Sequence, residues 1–314
     1  MEENSFQVTK GNPLVSIIVI TYNSSKYVLE TLESAKVQTY KNIELIVSDD
    51  CSTDNTVEIC REWIDENKDR FVRAKLITSD KNTGIAPNIN RGLREAKGEW
   101  VKCIAGDDIL IDNCIRDNIN FIKCNSEVAI VFSSIILFKD FEGKIIKIGK
   151  LPLENQKIWF SRNAYEQYRR LLFGNFVWAA PSSFIKRLLL ERMNYFDSRY
   201  PFLEDYPMWV KLTKNNHRLY YFDKETVLYR QSDSVTRADD EWVNQKYFDS
   251  YRAHFFSEVA PQLKKISYRT YLSKRLYIFK LSVLTKYFCN KKVFFSRVLN
   301  KIFEVIVQTL GYEN

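Results

Sequence analysis

Compact β-branched runs alternate, through the first hundred residues, with stretches whose apolar positions recur at helical spacing. VSIIVI (15–20) and IELIVS (43–48) are continuous enough to be strands buried on both faces, and AKLIT (74–78) and EWVKCIA (99–105) are weaker runs of the same kind. Between the first two, SKYVLETLESAKVQTY places Tyr27, Leu29, Leu32, Ala35 and Val37 on one helical face. Ser52 and Thr53 precede DNTVEICREWIDEN, whose acidic first turn suits a helix start, and GIAPNINRGLREAKG reads as a helix ending at Gly98. Strand–helix alternation at this spacing predicts an α/β fold with a parallel sheet covered on both faces.

The texture changes at residue 128. VAIVFSSIILF followed by KDFEGKIIKI predicts a β-hairpin turning near Glu142-Gly143, and AYEQYRRLLF predicts a helix. Beyond about residue 240 only helical patterns remain, rich in Tyr, Phe and Lys. Charge divides at the same place. Residues 241–314 hold 13 Lys+Arg and 5 Asp+Glu, whereas the preceding 240 residues balance at 34 of each, so the tail carries the whole net charge of +8. We therefore expect two parts, 1–240 and a basic helical region 241–314, the second facing a partner of negative charge.

Other features narrow the function classes. The six cysteines contain no C-x-x-C pair and there are two histidines, which disfavours a Cys/His zinc site and leaves any metal to oxygen ligands. The polar start MEENSFQVTKGNP has no export-signal pattern, and no apolar stretch reaches the length of a spanning helix. Reduced thiols in a cytoplasmic protein are the expectation.

In open α/β sheets, ligands lie beyond the carboxyl ends of the strands. Those ends carry Thr21, Tyr22 and Asn23 after the first strand, Asp49 and Asp50 after the second, and Asp107 and Asp108 in CIAGDDIL after the fourth. Adjacent carboxylates at ~4 Å repel by roughly 4 kcal/mol at an effective dielectric of 20, so this convergence anticipates a positive partner. The alternative is local: Asp107–Asp108 capping the next helix, and Asp49–Asp50 forming a turn.

The run VSIIVITYNSSKYVLETLESAKVQTYKNIELIVSDDCSTDNT resembles the opening of the family 2 glycosyltransferases, inverting enzymes with a GT-A fold. NTGIAPNINRGLREAKGEW, CIAGDDIL, FLEDYPMWVKL and YRQSDSVT follow in that family's order, so the resemblance spans about residues 14 to 237. It implies a nucleotide-diphosphate sugar donor, UDP-linked, and a divalent metal, Mn²⁺ or Mg²⁺. It assigns Asp108 to the metal and Asp107 to the donor ribose or the metal. Asp49 falls to the imide N–H of a uracil-type base, and Thr21 and Tyr22 to the base and ribose. Asp205 falls to the base that deprotonates the acceptor, with Glu204 beside it, although an N-cap of the following helix accounts for the same pair. Arg230 and Arg237 are candidate diphosphate contacts, with a solvated surface role as the alternative. Trp178 and Ser182–Ser183 fall where relatives shape the acceptor pocket, and core packing is the other reading of Trp178. Three positions depart from the family's common form: Ala105 stands for an aspartate, Ile89 for an arginine and Ser232 for a histidine. The metal would then lean on diphosphate oxygens and water.

VFFSRVLNKIFEVIVQTL in the basic tail presents a broad apolar helical face interrupted by Arg297, Lys301 and Glu304. Such a helix suits an anionic membrane surface, where each Lys or Arg contributes up to ~1 kcal/mol, and it equally suits a dimer contact. Family enzymes that extend bacterial surface polysaccharides often use lipid-linked acceptors, so the resemblance is consistent with a cytoplasmic chain working at the inner face of the cell membrane. No nucleic-acid-reading motif accompanies the charge. Two rival readings stay open: a sugar nucleotidyltransferase, for which TYNSSKY offers no Gly- and Lys-rich phosphate loop, and a non-catalytic sugar-nucleotide-binding or membrane-associated scaffold.

Overall fold

The computed structural model describes residues 11–141, 144–177, 180–231 and 241–309. The expected hairpin turn at Glu142-Gly143, and Trp178, Ser232 and Arg237, lie outside the described residues. The chain forms two compact units: residues 1–170 with 175–231, and residues 171–174 with 232–314.

In the first unit the apolar runs become β1 (Val15–Thr21), β2 (Ile43–Asp49), β3 (Arg73–Thr78) and β4 (Trp100–Ala105). Every residue of β2 is buried, as a strand covered on both faces requires. The intervening helices are α1 (Val28–Lys36), α2 (Thr56–Asn67) and α3 (Ile85–Glu95). Ser52 and Thr53 do not cap α2. Its N-terminal residue Thr56 is met instead by the Asp54 carboxylate, which accepts from Thr56 N at 3.1 Å.

The four strands pair in parallel in the order β3-β2-β1-β4, and from β4 onward the sheet is mixed. After β5 (Ile109–Leu110) and α4 (Cys114–Cys124), the chain builds the hairpin β6 (Ile130–Phe141) and β7 (Lys144–Leu151). The short α5 (Glu154–Lys157), α6 (Ala164–Phe173), β8 (Phe184–Lys186), α7 (Arg187–Arg192), α8 (Asp205–Lys214) and β9 (Tyr220–Arg230) follow. β8 lies antiparallel between β4 and β6, β9 runs parallel to β6, and β5 pairs antiparallel with β9. This last pairing brings the residues after β4 alongside the end of β9, so the first-half rim and a strand more than a hundred residues later share one edge.

The core joins Ile17, Val19, Leu32, Leu45 and Val47 to Ile104, Leu110, Ile115, Ile135 and Val227. Trp209 of α8 is fully buried, edge-on to Phe132 of β6 at 4.9 Å between ring centroids. That anchor fixes the start of α8, where Glu204 and Asp205 stand.

The second unit is helical: α9 (Gln245–His254), α10 (Ala260–Ile266), α11 (Tyr268–Tyr287) and α12 (Phe294–Thr309). Asn244 caps α9 by accepting from Tyr247 N at 3.0 Å. Phe279 and Phe303 join α11 to α12 edge-to-face. Phe294, Phe295, Val298 and Ile302 of α12 are exposed beside Arg297 and Lys301. Among the described residues, no helix is long and apolar enough to cross a membrane.

Candidate active site

The carboxyl ends of β1, β2 and β4 are stitched into one rim. Thr21 donates its hydroxyl to Asp49 Oδ2 at 2.8 Å, and Ser52 donates its backbone N–H to Asp49 Oδ1 at 2.8 Å and its hydroxyl to Oδ2. Asp49 is fully buried, while the neighbouring Tyr22 ring is exposed. Asn23 donates its N–H to Ser52 Oγ and accepts from Thr53 N, both at 2.8 Å, which ties the β1 loop to the β2 loop.

Asp50 points away from its neighbour. It accepts from Thr83 N at 2.8 Å, Thr83 Oγ1 at 2.6 Å, Gly84 N at 2.7 Å and Arg91 Nη2 at 2.9 Å. Its work is to hold the start of α3. Gly84 there has φ of +96°, and a Cβ would stand 2.8 Å from Pro201, so glycine is required. Arg91, which follows the Ile89 position, is thereby committed to Asp50 and to Asn88 Oδ1 at 2.9 Å.

Gly106 lets the β4 loop close on β1, because a Cβ would meet Thr21 Cγ2 at 2.8 Å. The next two residues are the acidic pair. Asp107 is half-buried and Asp108 is 1 % exposed. The Asp108 main-chain carbonyl accepts from Thr31 Oγ1 at 2.7 Å, and its Oδ1 accepts from Arg230 N at 2.9 Å. Its Oδ2 is buried without a hydrogen-bond partner. Burial and the adjacent Asp107 charge push the Asp108 carboxyl well above the usual range, and burial raises Asp107 as well. Lys102 is fully buried on β4 within electrostatic reach of Asp108, but its Nζ is also without a partner, so the two do not pair. Burial lowers the Lys102 pKa.

Arg230 is the residue whose role the sequence pattern obscured. Its guanidinium donates to the Asp107 carbonyl at 2.7 Å, to Glu30 of α1 at 2.7 Å and to Asp140 at the end of β6, and it stacks over Tyr27 and Phe138. The side chain is 1 % exposed. This placement ties α1, β6 and the acidic loop together.

Glu204 and Asp205 open α8. Asp205 Oδ1 accepts from Tyr206 N at 2.6 Å, and Asn175 approaches Oδ2 at 3.5 Å. Burial, then the Asp205 charge, pushes the Glu204 carboxyl up to about 8; burial pushes Asp205 up to about 6. Both carboxyls are thus held above the ordinary carboxylate range, and the two share their titration. Ser182 is fully buried beside β6, where it accepts from Ser133 N at 3.3 Å.

Residues 16–191 match the family model described as glycosyl transferase family 2. An uncharacterized glycosyltransferase of Haemophilus influenzae is 31% identical over 263 residues, covering 82% of this chain and 93% of that protein. An uncharacterized glycosyltransferase of Methanocaldococcus jannaschii is 26% identical over 220 residues, covering 69% of this chain and 71% of that one. Among solved structures, residues 1–349 of Staphylococcus aureus TarS in complex with UDP-GlcNAc align with a TM-score of 0.59 at 19% identity, over 95% of this chain and 81% of that one. The mannosyltransferase PcManGT of Pyrobaculum calidifontis, in complex with GDP-Man and Mn²⁺, aligns with a TM-score of 0.56 at 16% identity, over 96% of this chain and 82% of that one. Sequence, sheet order and the acidic rim agree: the chain is a glycosyltransferase of family 2, with the GT-A fold.

Proposed function

We propose that this glycosyltransferase inverts configuration in a single displacement, taking a sugar from a UDP-linked donor with the aid of a divalent metal. The observation that carries the reading is the Asp108 carboxylate: nearly inaccessible, with Oδ2 unpartnered at the carboxyl end of β4. A buried acceptor without a donor is costly, and a hard cation satisfies it. The donor set fits such an ion in chemistry though it is small. Asp108, with Asp107 beside it, would hold the metal; among the described residues no cluster of three or more His, Cys, Asp or Glu adds to them. Diphosphate oxygens and water would complete its coordination. When bound, the ion neutralises the charge that grows on a departing diphosphate.

The protein's own residues supply the rest. Asp49, held by Thr21 and Ser52, would accept the imide N–H of the base, with the exposed Tyr22 ring and Thr21 beside base and ribose. Asp205, ionised above about pH 6, would take the acceptor proton, and Glu204, neutral below about pH 8, would donate a hydrogen bond in the same pocket. Arg230 acts in this scheme by positioning the acidic loop. Residues 1–240 would carry catalysis. Residues 241–314, with exposed Phe294 and Phe295 among basic residues, would bring the enzyme to an anionic membrane and a lipid-linked glycan acceptor in surface-polysaccharide synthesis. The occurrence of UDP-GlcNAc in the TarS complex and of Mn²⁺ in the PcManGT complex supports the donor and metal classes.

Measuring UDP release from a panel of UDP-sugars, with and without Mn²⁺, in wild type and Asp108→Asn tests this. The expected result is metal-stimulated release lost in the variant by at least ~100-fold. Equal rates with and without metal would overturn the metal assignment, and equal rates in the two proteins would overturn the role of Asp108.

A further inference from the structure

We infer that Tyr229 touches the transferred sugar, donating its phenolic hydrogen to the donor between the leaving diphosphate and the attacking acceptor. The inference rests on the donor reading above and adds a residue to it. β5 and β9 pair antiparallel with Leu110 opposite Val227 and Ile109 opposite Leu228, so the next pair in register sets Asp108 beside Tyr229. The Arg230 N–H to Asp108 Oδ1 bond at 2.9 Å locks that alignment. Successive strand side chains point to opposite faces. Arg230 turns toward Tyr27 and Phe138, whereas Tyr229, like Val227, packs on the core cluster that includes Ile104, Leu110 and Ile135. The ring is thus held by apolar contacts from one side.

Its hydroxyl has no hydrogen-bond partner among the described residues, and Tyr229 is only half-buried. Besides Asp108, its neighbour in register, Asp107, Glu204 and Asp205 are each close enough to act electrostatically on the phenol. A phenolic hydroxyl is a hydrogen-bond donor, and here it has no acceptor in the free protein. In a single displacement the anomeric carbon must stand between the leaving group and the base. A donor beside the residue assigned to the leaving group, and within reach of the pair assigned to the base, is therefore placed to meet the sugar. A purely structural ring at this position needs no hydroxyl, and phenylalanine would fill the core equally well.

Calorimetric titration of the full-length wild type and Tyr229→Phe, in Mn²⁺, with UDP, UDP-glucose and UDP-GlcNAc, tests the inference. Tyr229→Phe keeps the ring, so the melting temperature and the UDP affinity are expected to stay within about twofold of wild type. Affinity for the UDP-sugar that wild type binds best is expected to fall ~3–10-fold, the worth of one hydrogen bond. Unchanged UDP-sugar affinity overturns the assignment, and so does a parallel loss for UDP and UDP-sugar, which would put the contact on the nucleotide. Wild type that binds none of the three overturns the donor reading itself, a failure distinct from either.

Discussion

Replacing Glu204 with glutamine should stabilise the protein by an amount that grows with pH. Burial beside Asp205 holds the Glu204 proton to about pH 8, against 4.5 for a free side chain. Between those values the folded state keeps a proton that the unfolded state has released, so stability falls as pH rises through the window and levels off above it. At 1.36 kcal/mol per pH unit the full span amounts to about 5 kcal/mol. Glu204 is partly exposed and shares its titration with Asp205, which reduces the expected value to about 2–3 kcal/mol. Glutamine keeps the shape and loses the charge. The variant should match wild type within about 1 kcal/mol at pH 5, and exceed it by about 2–3 kcal/mol at pH 8.5. Urea unfolding followed by tryptophan fluorescence is the assay, because among the described residues Trp63, Trp100, Trp159 and Trp209 belong to the first unit and only Trp242 to the second. A gap that does not widen with pH, or a variant less stable at pH 8.5, would refute the claim that this carboxyl is held neutral by its surroundings.

The same pair sets a kinetic expectation. If Asp205 must be ionised to act, kcat/KM rises tenfold per pH unit up to about pH 6 and then levels, and Asp205→Asn loses ~10²–10⁴-fold at the plateau; an unchanged pH profile in that variant would exclude the residue as base. Lys102→Met should raise the urea midpoint by the equivalent of about 1–3 kcal/mol, because the ammonium is fully buried with no hydrogen-bond partner while its methylenes pack in the sheet; a lowered midpoint would show that the charge is compensated after all.

The first half of the fold was readable because its signals are local. The run at 15–20 became β1 at Val15–Thr21, the run at 43–48 became β2 at Ile43–Asp49, and α3 stops at Glu95 before Gly98. Each is a contiguous apolar segment ended by a polar residue, and the rule that sites lie at strand ends then picks out Thr21, Asp49, Asp107 and Asp108 without any tertiary knowledge. β8 and β9 were not readable in the same way. β8 has three residues, and β9 is interrupted by Asp223, Lys224 and Glu225, which are exposed where the strand passes a register shift against β6. Alternation fails at such irregularities because the residue facing the core changes parity. The partners of Arg230 were beyond reach for a different reason: Glu30 is 200 residues away in the chain and Asp140 is 90, and nothing in YRQSDSVT signals either.

Those partners also bear on why the proposed function includes an ion. Arg230 touches the acidic loop, and its donors are spent on Glu30, Asp140 and the Asp107 carbonyl. Arg91 is bound to Asp50, and Lys102 is sealed beneath Asp108 with its charge disfavoured by burial. None of the three presents free positive charge to a diphosphate, while Asp107 and Asp108 present the opposite sign where the leaving group would lie. Two like charges a few ångströms apart repel by several kcal/mol in a half-buried site. Under the proposed function, a diphosphate brought to this rim would call for positive charge between them, and the buried, unpartnered Oδ2 of Asp108 is the atom we propose to hold it.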